Sequence, residues 1–152
     1  MKIYIGIDPG QTGAVAILGG KDSNELAVFD YDDPVGLSTL QNCAMSGGAF
    51  AMLEKVGSFP GQGVSSTFKF GANFGEWQGI IKALQIPFEL ITPQKWQKSI
   101  FDSMPKGDRK TMSLDLARRL FPGADLRLKK HHGRADALLI AEYLRRREEG
   151  RL

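Results

Sequence analysis

The most constraining stretch of this chain is its start, where Ile3-Tyr4-Ile5-Gly6-Ile7 and Ala14-Val15-Ala16-Ile17 flank Asp8-Pro9-Gly10-Gln11-Thr12-Gly13. Two β-branched, apolar runs separated by Pro and Gly predict two antiparallel strands, at residues 2–8 and 13–19, joined by a turn. Asp8 closes the first run, so its carboxylate leaves the sheet where the backbone bends away. A charge at the tip of a core-feeding strand calls for a partner. On this stretch alone Asp8 reads either as a turn former or as a metal-binding carboxylate.

The pattern recurs. Residues 49–56 form a continuous apolar run, bounded by glycines and interrupted only at Glu54 and Lys55, and suit an interior strand buried on both faces. Glu54 then stands at a strand exit, as Asp8 does, and two such exits side by side place their carboxylates a few ångströms apart. A third strand is expected over 25–31 and a last one over 86–91. Helices are expected over 35–45, from 65 or 67 to 84, over 93–101 behind a Thr92-Pro93 cap, over 109–120 with Met112, Leu116, Ala117 and Leu120 inward, and from 131–134 to 147. Phe70, Phe74, Trp77, Ile80, Ile81 and Leu84 form a core stripe on the second of these. Gly71, Gly75 and Gly79 recur every four residues along it and allow another element to approach. Asp30, Asp32 and Asp33 before Pro34 read as a solvated turn rather than a metal loop, and Arg145, Arg146 and Arg147 as a solvated helix end.

The resulting order, three antiparallel strands followed by alternating helices and parallel strands, is an α/β fold: a mixed five-stranded sheet flanked by helices. At 152 residues it suits a single domain, 1–152, and is too short for a two-subdomain actin-like ATPase. The lone Cys43 excludes an internal disulfide and a multi-cysteine metal site. No apolar run is long enough for a membrane span, and the start does not read as a signal peptide, so a cytoplasmic or similarly reducing location is expected. No organic cofactor is expected.

Charge is segregated. Residues 1–94 hold 5 Lys/Arg against 9 Asp/Glu, whereas residues 95–152 hold 15 against 8, so a −4 segment precedes a +7 segment. A basic C-terminal third fits a polyanionic partner, nucleic acid before membrane. In it lies His131-His132-Gly133-Arg134-Ala135-Asp136. His132 and Asp136 share a helix face if the helix has begun by then, which would bring Asp136 and one or both imidazoles toward Asp8 and Glu54. Such an oxygen-rich cluster suits Mg²⁺, with Mn²⁺ as a substitute, and can support in-line phosphodiester hydrolysis with two ions. Lys106, Arg109, Lys110, Lys129, Lys130 and Arg134 are candidates to hold a phosphate backbone. Phe59, in the 57–66 loop, reads equally as a base-stacking wedge and as a loop anchor.

Taken together, Ile5-Gly6-Ile7-Asp8-Pro9-Gly10, Leu53-Glu54-Lys55 and the His132–Ala141 stretch resemble the RuvC-type Holliday junction resolvases of the RNase H-like superfamily, above all their phage, prophage and plant chloroplast members. The resemblance runs from Met1 to about Leu144. It implies a homodimer that cuts opposed strands of a four-way junction, using Asp8, Glu54 and Asp136 as the first, second and last catalytic acids. It also implies a catalytic or DNA-contacting lysine, best matched by Lys110. Broader cutting of flaps and forks, or non-catalytic binding of branched DNA, are the alternatives. The setting would be bacterial or phage-encoded, or a DNA-containing organelle. One departure stands out: the family usually carries Asp or His three residues before the last acid, and this chain has Gly133 there. The fourth ligand is therefore His131 or His132.

Overall fold

The computed structural model describes residues 1–57 and 60–152; the expectation for Phe59 lies outside them. Five strands, β1 (Ile3–Asp8), β2 (Ala14–Gly19), β3 (Leu26–Asp30), β4 (Ala49–Glu54) and β5 (Phe88–Ile91), form one sheet in the order β3-β2-β1-β4-β5. β1 pairs antiparallel with β2 and parallel with β4, β2 is antiparallel to β3, and β4 is parallel to β5. The helices are α1 (Pro34–Ser46), α2 (Val64–Ala83), α3 (Pro93–Ile100), α4 (Arg109–Leu120) and α5 (His132–Glu148), the last entered through a 3-10 turn, Lys129–His131. Among the described residues, no helix is long and apolar enough to cross a membrane.

Both faces of the sheet are covered, which is why β1, β2 and β4 read as continuous apolar runs rather than alternating ones. Ile3, Ile5, Ile7, Val15, Ile17, Ala51 and Leu53 join Leu40, Cys43, Trp77 and Ile81 of α1 and α2 in one core. Tyr4, Ala14, Ala16, Leu18 and Met52 join α5, Trp96 of α3 and Ala117 of α4 in the other. α5 is buried nearly all round from Ala135 to Leu144, so it has no polar face in its middle.

Gly6 fixes how closely α5 docks. A β-carbon at position 6 would lie 2.2 Å from the Ala137 carbonyl oxygen and 2.4 Å from the Ala141 nitrogen. Backbone therefore meets backbone, at a separation that any side chain would prevent.

Several expectations need correction. Thr92 sits at the α3 N-cap position but makes no side-chain cap hydrogen bond. On α4 the inward side is Met112, Ser113, Leu114 and Ala117, while Leu120 is exposed. Arg145 and Arg146 are not merely solvated: they donate at 2.8 and 2.7 Å to Glu142, which is buried on the apolar helix and would otherwise be an uncompensated charge. Arg147 reaches across to Glu89 of β5 at 2.7 Å. Asp33 caps α1 through Val35 N–H at 2.9 Å, which accounts for one residue of the acidic loop. Finally, β-carbons at Gly71, Gly75 or Gly79 would meet nothing within 4 Å, so no element among the described residues uses that face of α2.

Candidate metal centre at the strand ends

Sheet parity sets the site. β1 and β4 run parallel with Ile7 opposite Leu53, so Asp8 and Glu54 follow one step further on adjacent strands. Side chains alternate along a strand; Ile7 and Leu53 face the α1–α2 core, so Asp8 and Glu54 emerge on the α5 face. α5 crosses that face with Gly6 against Ala137, which brings Asp136 toward the strand ends. Its N-terminal turn is pinned as tightly: a β-carbon at Gly133 would sit 2.1 Å from the Thr12 carbonyl oxygen. This explains the departure noted in the sequence. No ligating side chain has room at position 133 on this backbone.

The electrostatics show three acids sharing a desolvated corner. Burial, then Asp136 and Glu54, push the Asp8 carboxyl well above the usual range. Burial lifts Glu54 to about 7, opposed by a hydrogen bond from Trp96 and reinforced by Asp136. Burial lifts Asp136 to about 6, opposed by the Ser113 hydroxyl and the Lys110 ammonium. Asp136 Oδ1 is buried with no hydrogen-bond partner among the described residues. Acids raised by burial and an orphaned carboxylate oxygen describe a corner suited to a cation, and the donor set is all hard oxygen. Among the described residues, no group of three or more His, Cys, Asp or Glu side chains is gathered closely enough to hold a metal ion by itself. Mg²⁺ does not require one: it is usually held by one or two carboxylates, with waters and substrate phosphates completing the shell. The residues fit an open divalent site.

The two histidines part company. Burial and the nearby Lys110 charge lower the pKa of His132, which favours a neutral imidazole beside the charge that also acts on Asp136. His131 is buried elsewhere. The charges that act on it are Arg134, Asp125, Asp30 and Lys130, and its Nδ1 accepts a 3.5 Å hydrogen bond from Leu128 N–H. None of the three acids is among the charges acting on either imidazole; what separates them is that His132 shares the Lys110 charge with Asp136 and His131 does not.

Arg134 is also placed otherwise than expected. Its guanidinium grips Asp30 with two 2.7 Å hydrogen bonds and Asp125 through the carbonyl at 3.1 Å and the carboxylate at 3.3 Å. It ties the α5 start to β3 instead of facing solvent. Lys106, Arg109, Lys110, Lys129 and Lys130 are exposed. Lys98, Lys106 and Arg109 border a cleft of about 420 Å³, where the Arg109 guanidinium lies 5.3 Å from the Phe101 ring centre. Lys98 had no distinguishing sequence signal.

Two further residues shape the site. The Trp96 indole donates to Glu54 Oε2 at 2.6 Å, and Asn73 Oδ1 accepts from Gly10 N–H at 2.6 Å, holding the turn that follows Asp8. Asn73 is a buried polar side chain within the apolar stripe of α2, a signal legible in the sequence because such groups need partners. Trp96 gave no such signal, since its helical spacing already accounts for its burial.

Raised acids imply a pH dependence with a definite sign. Carboxyls whose folded pKa exceeds the unfolded value bind protons in the fold, so their contribution to stability is present below about pH 4 and lost as pH rises through 6 to 7. Without metal, Asp136→Asn is expected to raise Tm relative to wild type at pH 7.5 and not at pH 4. Added Mg²⁺ should raise the wild-type Tm at pH 7.5 and that of the variant less. Scanning calorimetry at both pH values checks this, and a difference independent of pH would contradict it.

No family model matches the chain. A curated relative, the chloroplastic Holliday junction resolvase MOC1 of Chlamydomonas reinhardtii, is 38% identical over 96 residues, 62% of this chain. That segment is 11% of the relative, so the chain spans about a tenth of its length. Thermus thermophilus RuvC superposes with a TM-score of 0.61 at 16% identity, covering 97% of this chain and 96% of that one. T. thermophilus RuvC in complex with Holliday junction substrate gives 0.62 at 13% identity, covering 98% and 97%. Fowlpox virus resolvase, in complex with substrate Holliday junction DNA, gives 0.53 at 15% identity, covering 96% and 98%. The chain therefore has the RuvC-type, RNase H-like fold, and over nearly two thirds of its length it is similar in sequence to a Holliday junction resolvase.

Proposed function

We propose that residues 1–152 form one nuclease domain that resolves four-way DNA junctions by divalent-metal-dependent phosphodiester hydrolysis. The observation that carries this is the desolvated corner of Asp8, Glu54 and Asp136, three acids raised by burial at adjacent strand ends and the α5 start. Mg²⁺, or Mn²⁺ in its place, would be held by these carboxylates with His132 beside them, and would supply a nucleophilic hydroxide and stabilise the leaving oxygen. The chain's own part is to orient the acids on rigid strand and helix ends. Lys110, whose charge reaches both Asp136 and His132, would place a cation beside the scissile phosphate. Lys106, Arg109, Lys129 and Lys130 would hold the flanking backbone.

Opposed cuts need two copies. The exposed α2 face carrying Val64, Phe68, Gly71, Gly75 and Gly79 supports a homodimer, since none of the described residues covers it. The likeness to resolvases from a chloroplast, a bacterium and a virus fits any DNA-containing compartment.

The deciding assay incubates the purified chain with a synthetic four-way junction and Mg²⁺ or Mn²⁺. Paired nicks on opposed strands are expected; a junction that is bound and left uncut at every metal concentration overturns the proposal. The basic residues divide in the same assay. Lys129→Ala should weaken junction binding and reduce the slope of log K against log salt by about 1. Arg134→Ala should leave that slope unchanged and cost about 1 kcal/mol of stability, because its charge is already spent on Asp30 and Asp125. Equal salt slopes for the two variants would refute this division.

A further inference from the structure

We propose that Trp96 is a positioning residue: its indole N–H holds one oxygen of Glu54 so that the other is presented to a bound cation. The inference rests on the metal-dependent reading of the site, which it deepens.

The geometry is specific. Trp96 is fully buried on α3, and its Nε1 is 2.6 Å from Glu54 Oε2. Its ring lies against Phe101, with centres 5.8 Å apart and planes at 52°. The indole therefore cannot turn away without opening the core. An indole N–H only donates, so it engages one carboxylate oxygen and leaves the lone pairs of the other free.

Glu54 needs such a hold. It has three rotatable side-chain bonds, and Asp8 and Asp136 repel it. An alternative home is at hand: Glu54 borders a cleft of about 350 Å³ lined by Lys55, Val56, Phe70, Thr92 and Gln94. Without the indole, repulsion would drive the carboxylate into that cleft, toward Lys55 and away from the other acids. The other tryptophan provides the contrast: Trp77 Nε1 is buried with no hydrogen-bond partner among the described residues. Partners that orient a metal ligand in this way typically account for about 10–100-fold in metal affinity or activity.

The test uses the full chain and Mg²⁺ alone. Its two tryptophans produce two indole N–H signals in a ¹H–¹⁵N spectrum. Trp96 should resonate downfield of Trp77, and Glu54→Gln should move the Trp96 signal and leave Trp77 in place. A Mg²⁺ titration without DNA should likewise shift Trp96 selectively. Trp96→Phe keeps a ring against Phe101 and lacks the N–H. It should weaken Mg²⁺ binding by calorimetry about 10–100-fold and slow junction cleavage at low metal, with recovery as metal is raised.

An indole signal for Trp96 indifferent to both Glu54→Gln and Mg²⁺ overturns the proposal, as does wild-type Mg²⁺ affinity in a folded Trp96→Phe. If that variant does not fold, the wild-type and Glu54→Gln spectra still decide. A selective Trp96 shift in a protein that never cuts junctions would sink the nuclease reading and keep the positioning role. Cleavage with an unresponsive indole would do the reverse.

Discussion

Asp8→Asn is expected to bind a four-way junction as tightly as the wild-type chain and to cut it about 10²–10³-fold more slowly, the scale on which losing one preorganised charge-stabilising group acts. Asp8 is the acid pressed hardest by its neighbours: burial, Asp136 and Glu54 all raise it. Asn matches its shape and keeps the strand-end geometry, and it removes the charge on which a divalent cation would depend. Binding should survive because phosphate contacts come from lysines and arginines elsewhere, and relief of the mutual repulsion should if anything steady the fold. The measurement is single-turnover cleavage of a labelled junction beside a gel-shift titration without metal. Cleavage by Asp8→Asn within tenfold of wild type would remove Asp8 from the site. Loss of binding equal to the loss of cleavage would assign it to DNA contact instead.

Gly6→Val carries a large structural penalty. The new β-carbon would start 2.2 Å from the Ala137 carbonyl oxygen and 2.4 Å from the Ala141 nitrogen. Both are backbone atoms of a buried helix, so neither can yield as a flexible side chain would. Forcing α5 off the sheet separates two tightly packed surfaces, and overpacking of this kind costs about 3 kcal/mol or more. Asp136 sits next to Ala137, so whatever fold survives should also lose Mg²⁺ affinity. Urea denaturation measures the first effect and calorimetric Mg²⁺ titration the second. A Gly6→Val protein with wild-type stability would mean that α5 is not docked as described. Gly6→Ala should show the same direction with a smaller loss.

Much of this was legible in the residues. The β-branched runs, the Pro-Gly turn and the position of Asp8 at a strand exit follow from local chemistry, and Glu54 repeats that pattern at a second exit. Strand and helix boundaries need only neighbours in sequence, which is why all eleven elements could be anticipated except the short 3-10 turn before α5. The third acid was reached through helical spacing, with His132 one turn before Asp136.

Long-range partnerships were not legible. Arg134 and Asp30 are 104 residues apart, and Trp96 and Glu54 are 42 apart. No periodicity reports such a pairing, so Arg134 read as one more phosphate-holding cation, and Trp96 carried no reading beyond its place in the 93–101 helix. Arg145 and Arg146 read as a solvated end, and only packing reveals that their partner one turn back, Glu142, is buried.

The amino-acid sequence by itself determined the elements, their order and the three acids at strand and helix ends, since each depends on hydrogen bonding and hydrophobic periodicity within a few residues. Tertiary structure decided the rest: that Gly6 and Gly133 admit α5 to backbone contact, that position 133 has no room for a ligand, that the two histidines face different neighbours, and that an indole holds Glu54. The physical reason is the same in each case. Steric exclusion, desolvation and long-range hydrogen bonds act on what a residue meets in space, and that is set only when the last helix closes over the first strand.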